Sequence, residues 1–247
     1  MKKHIPNFLT ICNLLCGCVA AFCAFYSSIL CKPALFYKYA LFFVLMAAVF
    51  DFLDGFAARL LKAYSPIGKQ LDSLADMVSF GLTPAIIAAG LLSRSVYTFG
   101  NIWLWWVVIC CGFIIAAFSA LRLAKFNVDD RQTDSFIGLA VPANAIFWVG
   151  LANSYYLQLP NFPIITILLI PISCFLLVCN LPMFSLKFKR FGWKGNEFQF
   201  ILIICSAILL IFLRLDTFMW IIVLYILLSL IKFLVCKKTK NELAANH

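Results

Sequence analysis

Charged side chains are scarce in this sequence. Of its 247 residues, 12% are charged and 64% are apolar, and the mean hydropathy is +1.01. Soluble globular domains carry about 25% charged residues, so the composition excludes that class of protein. Only ten residues are acidic, which makes the positions of these few carboxylates informative.

Histidine is nearly absent, with His4 and His247 alone. Neither histidine-based catalysis nor a Cys/His zinc site is therefore expected. The eleven cysteines include no CxxC pair, and most of them fall inside apolar runs, where cysteine behaves as a small hydrophobic residue. The cysteines thus do not predict a metal or disulfide framework.

Long apolar runs occupy most of the chain. Because a helix needs about 20 mostly apolar residues to cross a bilayer, these runs predict eight spans. The spans are roughly 8–28, 34–58, 70–92, 101–124, 139–158, 163–183, 198–214 and 217–236. The sequence therefore predicts an all-α polytopic membrane protein, with one integral membrane domain over 1–247 and loops too short to form a second.

The basic residues predict the orientation of this domain. With eight spans and both termini on one side, the opposite side receives four of the twenty Lys and Arg residues: Lys32, Lys38, Arg94 and Arg214. Cytoplasmic loops carry the excess of basic residues, so both termini are predicted to be cytoplasmic in the cell (inner) membrane. The net charge of +10 then reflects topology and attraction to anionic headgroups. Nucleic acid is not an expected partner, because the basic residues form no single patch on a soluble face.

Four of the ten acidic residues lie in one window, "DFLDGFAARLLKAYSPIGKQLDSLAD". At 100° per residue, a group of polar and small residues shares an arc of about 140° at the end of the second span. Its members are Asp51, Asp54, Gly55, Ala58 and Arg59.

A second polar arc follows on the third span. Pro66 and Gly68 predict a turn between the two spans. After it, an arc of about 80° holds Gly68, Asp72, Asp76, Ser79 and Thr83. We expect the two helices to be antiparallel neighbours whose four carboxylates converge on a cavity between helices 2 and 3, at the cytoplasmic membrane edge.

Four close carboxylates favour bound cations, because like charges disfavour one another's ionisation. Hard divalent ions prefer carboxylate oxygen, and a pair of them suits a diphosphate substrate. Arg59 fits beside them as a phosphate partner. Two other interpretations remain open: structural ion pairing with the few nearby cations, and an ion pathway.

The window reads D-x2-D-G-x2-A-R-x8-G-x3-D-x3-D, which resembles the signature of the CDP-alcohol phosphatidyltransferase family. Every signature position is filled, by Asp51, Asp54, Gly55, Ala58, Arg59, Gly68, Asp72 and Asp76. The flanking stretches "IPNFLTICNLLCG", "LDSLADMVSFGLTPA", "LRLAKFNV" and "FIGLAVPANA" are similar to the phosphatidylserine synthase branch. The similarity covers roughly the first 150 residues. It indicates a six-helix core over roughly 1–183, followed by a basic surface segment and two further spans over roughly 184–247.

The resemblance implies a set of residue roles. Two divalent cations, Mg²⁺ or Mn²⁺, would be held by Asp51, Asp54, Asp72 and Asp76. The CDP part of CDP-diacylglycerol would be bound by Asp51, Gly55, Ala58, Arg59, Gly68 and Asp72. Asp76 would act as the general base when the hydroxyl of L-serine attacks the phosphorus bonded to diacylglycerol and CMP departs. The family also implies a homodimer in contact with membrane lipids.

The aspartate signature leaves the acceptor alcohol open. Glycerol 3-phosphate, inositol or choline would use the same chemistry, since acceptor choice depends on the surrounding pocket. A cation-coupled transporter is an alternative of a different class, but it would be expected to show paired half-repeats. No internal repeat is detectable in this sequence.

The end of the fourth span offers cations for an acceptor carboxylate or a lipid phosphate. Ser119, Arg122 and Lys125 share a helix face, and Asn127 follows them. We expect Arg122, Lys125 and Asn127 to bind serine or the lipid phosphate. The alternative is that the two cations are anchors whose side chains extend to the membrane interface.

Two further segments carry predictions. Asn7, Thr10 and Asn13 are expected to cap a shallow interfacial start of the first helix rather than to line the cavity. The stretch "KFKRFGWK", Lys187 to Lys194, mixes cations with aromatic residues, which is typical of a segment that lies on an anionic membrane surface.

Overall fold

The structure is a computed structural model that describes residues 4–29, 33–93, 101–128, 136–154, 162–184, 192 and 196–245. These residues are almost entirely helical. The helices are α1 (His4–Ile29), α2 (Pro33–Leu60), α3 (Pro66–Asp76), α4 (Thr83–Ser93), α5 (Ile102–Cys111), α6 (Ile114–Val128), α7 (Val141–Asn153), α8 (Phe162–Val178), α9 (Glu197–Leu213) and α10 (Thr217–Ala245). A π-helical turn, Met77–Leu82, joins α3 to α4, and a 3-10 turn, Arg214–Asp216, joins α9 to α10.

Five described helical stretches are long and apolar enough to cross a membrane. They are His4–Ser28, Leu35–Leu60, Pro66–Ser93, Ile102–Val128 and Glu197–Val235. Ile164–Val178 is apolar but shorter. The predicted helical membrane protein is therefore confirmed, whereas the count of eight spans stays a prediction. The predicted surface segment Lys187–Lys194 lies outside the described residues, apart from Gly192.

Helix α1 lies at the centre of the packing that positions the acidic window. It packs along α2 and also contacts α3, the π-helical turn and α4. A Cβ atom on Gly17 would lie 2.6 Å from the Ser79 Cα atom. The absence of a side chain at Gly17 therefore lets the two helices approach closely, as small residues do in membrane helix pairs.

The π-helical turn changes the expected role of two polar residues. The sequence places Ser79 and Thr83 on the same arc as Asp72 and Asp76, but both are fully buried and neither lines the cavity described below. Ser79 Oγ donates to the backbone oxygen of Asn13 at 3.0 Å, and Thr83 Oγ1 donates to that of Gly17 at 3.3 Å. Beyond Asp76, the polar arc thus fixes the third span against α1.

A short antiparallel ladder connects the segment before α7 to the end of α8. Strand β1 (Phe136–Ile137) pairs with β2 (Pro182–Met183). Gly138 follows with a φ of +75°, and its N–H donates to Leu181 O at 2.8 Å. A Cβ at this position would lie 2.9 Å from two carbonyl oxygens, so glycine is required there. This turn leads into Ala140 and Pro142, which form part of the cavity wall.

Candidate active site

The turn between α2 and α3 follows the predicted break, with one difference. Helix α2 ends at Leu60, and Ser65 caps α3 by accepting a hydrogen bond from the Gly68 N–H at 2.9 Å. Pro66 occupies the first helical turn, where its missing N–H costs nothing. Gly68 is therefore helical and not a turn residue. A Cβ there would lie 2.9 Å from Ser65 Oγ and 3.0 Å from Asn7 Oδ1, so this glycine permits a close approach to the cap and to α1.

A cavity of about 610 Å³ lies over this turn. All eight signature residues line it, together with residues of α1, of α6 and of the segment leading into α7. The structure thus brings the predicted CDP-binding set together: Asp51, Gly55, Ala58, Arg59, Gly68 and Asp72. A Cβ on Gly55 would meet no atom of the described residues within 4 Å, so this glycine widens the space available to a ligand.

Three of the four aspartates converge in the cavity. One carboxylate oxygen each from Asp51, Asp72 and Asp76 lies within 4.8 Å of the other two. Asp72 Oδ1 is buried and has no hydrogen-bond partner among the described residues. An unsatisfied acceptor beside two further carboxylates is a costly arrangement, and it fits the all-oxygen donor set that Mg²⁺ and Mn²⁺ prefer.

Asp54 differs from the other three aspartates. It lines the cavity but is outside the group of three. Its side chain is 5% exposed, and its Oδ2 accepts a hydrogen bond of 2.6 Å from Thr10 Oγ1. One of its two oxygens is therefore already bound by the protein.

Helix α1 contributes directly to the site, so the prediction that its polar residues only cap the helix start is wrong. Asn7 and Thr10 line the cavity. Asn13 is fully buried, and its Nδ2 donates to Asp76 Oδ1 at 3.1 Å. The α1 residues contact the acidic window because α1 packs against both α2 and α3.

The structure places the three residues predicted to bind serine or the lipid phosphate in different surroundings. Arg122 lines the cavity with a side chain only 7% exposed, and its Nη2 has no hydrogen-bond partner among the described residues. Its guanidinium carbon lies 5.1 Å from the centre of the Phe126 ring, which also lines the cavity. Arg122 is therefore a buried cation and not an interfacial anchor.

Lys125 and Asn127 are described residues that do not line the cavity. Lys125 is exposed. Asn127 Nδ2 donates to Ser73 Oγ at 2.7 Å, and the backbone oxygen of Asn127 accepts from Lys69 Nζ at 3.2 Å. These contacts tie the end of α6 to α3, and a role of Lys125 or Asn127 in binding serine or phosphate stays a prediction.

Comparison with known proteins gives a consistent assignment. Residues 3–187 match the family model described as CDP-alcohol phosphatidyltransferase. The chain is 34% identical over 153 residues to the CDP-diacylglycerol--serine O-phosphatidyltransferase of Bacillus subtilis (strain 168). The aligned region covers 62% of this chain and 77% of that protein.

Two other organisms have similar proteins of the same name. The protein of Helicobacter pylori (strain ATCC 700392 / 26695) is 31% identical over 238 residues, which is 93% of this chain and 90% of that protein. The protein of Methanocaldococcus jannaschii is 27% identical over 208 residues, 83% of each chain. The resemblance carried by the aspartate window is thereby confirmed, and the chain belongs to the CDP-alcohol phosphatidyltransferase family.

Proposed function

We propose that this chain is a phosphotransferase that moves the phosphatidyl group of CDP-diacylglycerol to the hydroxyl of L-serine, giving phosphatidylserine and CMP. The observation that carries the proposal is the composition of one cavity, in which three carboxylates converge and the Nη2 of a buried arginine has no hydrogen-bond partner among the residues that the structure describes. The names of the similar proteins from three organisms support serine as the acceptor.

The nucleotide side of the cavity is formed by the signature residues. Gly55 and Ala58 are small and leave space for the CDP moiety. Arg59 is exposed, and its Nε donates to Gly55 O at 3.0 Å. The guanidinium is therefore held at the cavity, where it can donate to a phosphate oxygen.

Asp51, Asp72 and Asp76 would hold a pair of divalent cations, Mg²⁺ or Mn²⁺, with Asp54 as the fourth predicted ligand. When bound, such a pair supplies charge neutralisation for the diphosphate and for the departing CMP. The protein contributes the fixed positions of the carboxylates, because all four are carried by two helices joined by a short turn.

Asp76 acts as the general base in this proposal. It accepts the proton of the serine hydroxyl, whose oxygen forms a bond to the phosphorus that carries diacylglycerol. The bond from that phosphorus to the bridging oxygen of the diphosphate breaks, and CMP leaves with the electron pair. An aspartate fits this role because neither histidine of the sequence lies in the acidic window.

Arg122 binds the serine carboxylate in this proposal. Its side chain is buried at the cavity, and its Nη2 has no hydrogen-bond partner among the described residues. We expect Arg122→Ala to raise KM for serine by about tenfold or more, because a charge-assisted hydrogen bond contributes about 1.5–3 kcal/mol. KM for CDP-diacylglycerol should change less. Initial rates of CMP release, measured against each substrate, provide the test.

Two variants serve as comparisons for Arg122→Ala. Arg122→Lys keeps the charge but loses the forked geometry, and we expect an intermediate KM for serine. Lys38→Ala removes an exposed cation of α2 that does not line the cavity, and it should leave both KM values unchanged. An unaltered KM for serine in Arg122→Ala would contradict the assignment of Arg122.

The proposed function is tested by giving purified protein CDP-diacylglycerol, Mn²⁺ and one labelled alcohol at a time. We expect CMP release and a labelled lipid with L-serine. Turnover with glycerol 3-phosphate, inositol or choline instead would overturn serine as the acceptor. Absence of turnover with every alcohol would overturn the enzyme proposal and favour a transporter.

The proposal places the protein in the cell membrane with both termini and the cavity on the cytoplasmic side. The distribution of basic residues supports this orientation. It includes eight spans, a six-helix core over roughly 1–183 with two additional helices, and a homodimer. Labelling of single cysteines, introduced after the eleven native cysteines are replaced by serine or alanine, tests the orientation when a membrane-impermeant reagent is applied from each side of sealed vesicles.

A further inference from the structure

Helix α1 places two hydrogen-bond donors against two different aspartates of the site. Thr10 Oγ1 donates to Asp54 Oδ2 at 2.6 Å, and Asn13 Nδ2 donates to Asp76 Oδ1 at 3.1 Å. Neither donor belongs to the signature, which lies entirely between Asp51 and Asp76. We propose that Thr10 and Asn13 are positioning residues, each of which holds one carboxylate oxygen and so leaves the other oxygen of that aspartate for the cavity. The inference rests on the proposed function for its catalytic readout.

Asn13 acts through Asp76 and not on a substrate. Its side chain is fully buried, and within the described ranges it is not among the residues that line the cavity. Its backbone is also fixed, because Ser79 Oγ donates to Asn13 O at 3.0 Å. Gly17, one helical turn further along α1, packs tightly on Ser79. These contacts fix the position of Asn13 relative to α3, so that its side chain lies beside Asp76.

Thr10 holds Asp54 in a comparable way. Its side chain is 3% exposed, and Oγ1 lies 2.6 Å from Asp54 Oδ2 and 3.0 Å from Pro6 O. The shorter contact is to the carboxylate, as expected for a hydrogen bond to a charged acceptor. The hydroxyl therefore restricts rotation of a carboxylate that is itself buried.

The two donors explain how four nearby carboxylates are given distinct roles. A carboxylate that accepts a hydrogen bond from the protein at one oxygen has a restricted orientation, so its second oxygen is held in a defined direction. Residues that orient metal-binding side chains in this way affect metal affinity or activity by about 10- to 100-fold when removed. Without its donor, the carboxylate oxygen also loses a hydrogen-bond partner in a largely buried position.

The test uses variants that remove the donor while keeping the volume. Asn13→Leu and Thr10→Val lose the hydrogen bond, and Thr10→Ser retains the hydroxyl. Ser28→Ala serves as the control, because Ser28 lies on the same helix and donates within it, to Ala24 O at 3.2 Å. Each purified protein is titrated with Mn²⁺ alone, with free Mn²⁺ followed by electron paramagnetic resonance, and is then assayed for kcat and KM.

We expect Asn13→Leu and Thr10→Val to raise the Mn²⁺ dissociation constant and to lower kcat, each by about 10- to 100-fold. KM for serine should stay within about twofold, since neither residue is assigned to serine. Thr10→Ser should recover most of the affinity lost in Thr10→Val, and Ser28→Ala should match the unsubstituted protein. The contrast between Thr10→Ser and Thr10→Val separates the loss of the hydrogen bond from a folding defect.

Unchanged Mn²⁺ affinity in both Asn13→Leu and Thr10→Val would overturn the inference. Equal losses in Ser28→Ala would also overturn it, because the cause would then be the general packing of α1. Failure of the proposed function gives a different result: the unsubstituted protein would bind Mn²⁺ but release no CMP with serine. In that case the Mn²⁺ titration alone still tests the role of α1.

Discussion

Replacing Asp76 with asparagine is expected to lower kcat by about 10²- to 10⁴-fold, the range that removal of a general base produces. Asparagine keeps the shape of the side chain and can still accept the hydrogen bond from Asn13 Nδ2, but it cannot take up the serine proton. CDP-diacylglycerol should still bind, because Asp76 is not among the residues predicted to bind the nucleotide. CMP release at saturating substrate measures kcat, and retention of the protein on immobilised CDP measures binding.

Asp216→Asn is the matched control for this substitution. Asp216 lies in the 3-10 turn between α9 and α10 and does not line the cavity. The same change there should leave kcat unaltered. A kcat for Asp76→Asn within about threefold of the unsubstituted value, far short of the loss expected for a general base, would remove Asp76 from the role of base.

Removal of divalent cations is expected to reduce turnover by about a hundredfold or more, since a metal pair contributes several kcal/mol to transition-state stabilisation. The physical reason is the approach of Asp51, Asp72 and Asp76 oxygens to within 4.8 Å, which disfavours three ionised groups unless a cation lies between them. Dialysis against EDTA followed by the CMP-release assay provides the measurement. Adding back Mn²⁺ or Mg²⁺ should restore the rate.

EDTA saturated with Mn²⁺ beforehand is the control, because it contains the chelator but removes no metal. A second comparison is Asp72→Asn, which should require a higher Mn²⁺ concentration for half-maximal rate. Full turnover in metal-free buffer would contradict the assignment of the aspartate cluster as a cation site.

The helical period made much of the site predictable from the sequence. Asp51, Asp54, Gly55, Ala58 and Arg59 line one cavity because residues three and four apart share a helix face. The short turn before Pro66 then lets Asp72 and Asp76 of α3 reach the same cavity, although α3 packs mainly on α1 and not on α2. These residues are close together in the sequence, so their spacing alone predicts that they share one site.

The contributions of α1 were not predictable from spacing. Thr10 and Asp54 are 44 residues apart, and Asn13 and Asp76 are 63 residues apart. Their contact depends on how three helices pack, which the period of any one helix does not determine. The π-helical turn had a similar effect, because it directs Ser79 and Thr83 to backbone oxygens of α1 and not to the cavity.

Asn127 illustrates the same limit at the other wall of the site. Its position near the cations Arg122 and Lys125 indicated a ligand role, but its side chain donates to Ser73 on α3. A polar residue at the end of a helix can bind a neighbouring helix as readily as a substrate. The sequence alone does not distinguish the two, and a ligand role of Asn127 stays a prediction.

The hydrogen bonds of Asn127 with Ser73 and Lys69 connect the helix that carries Arg122 to the helix that carries Asp76. In the proposed function, these contacts therefore help to set the distance between the cation that binds serine and the base. In the proposed function, an acceptor fits when the distance between its hydroxyl and its negative group matches the distance between Asp76 and Arg122. Homoserine, which has one methylene more than serine, is therefore expected to be a poorer acceptor, even though its hydroxyl and carboxylate are chemically the same as those of serine.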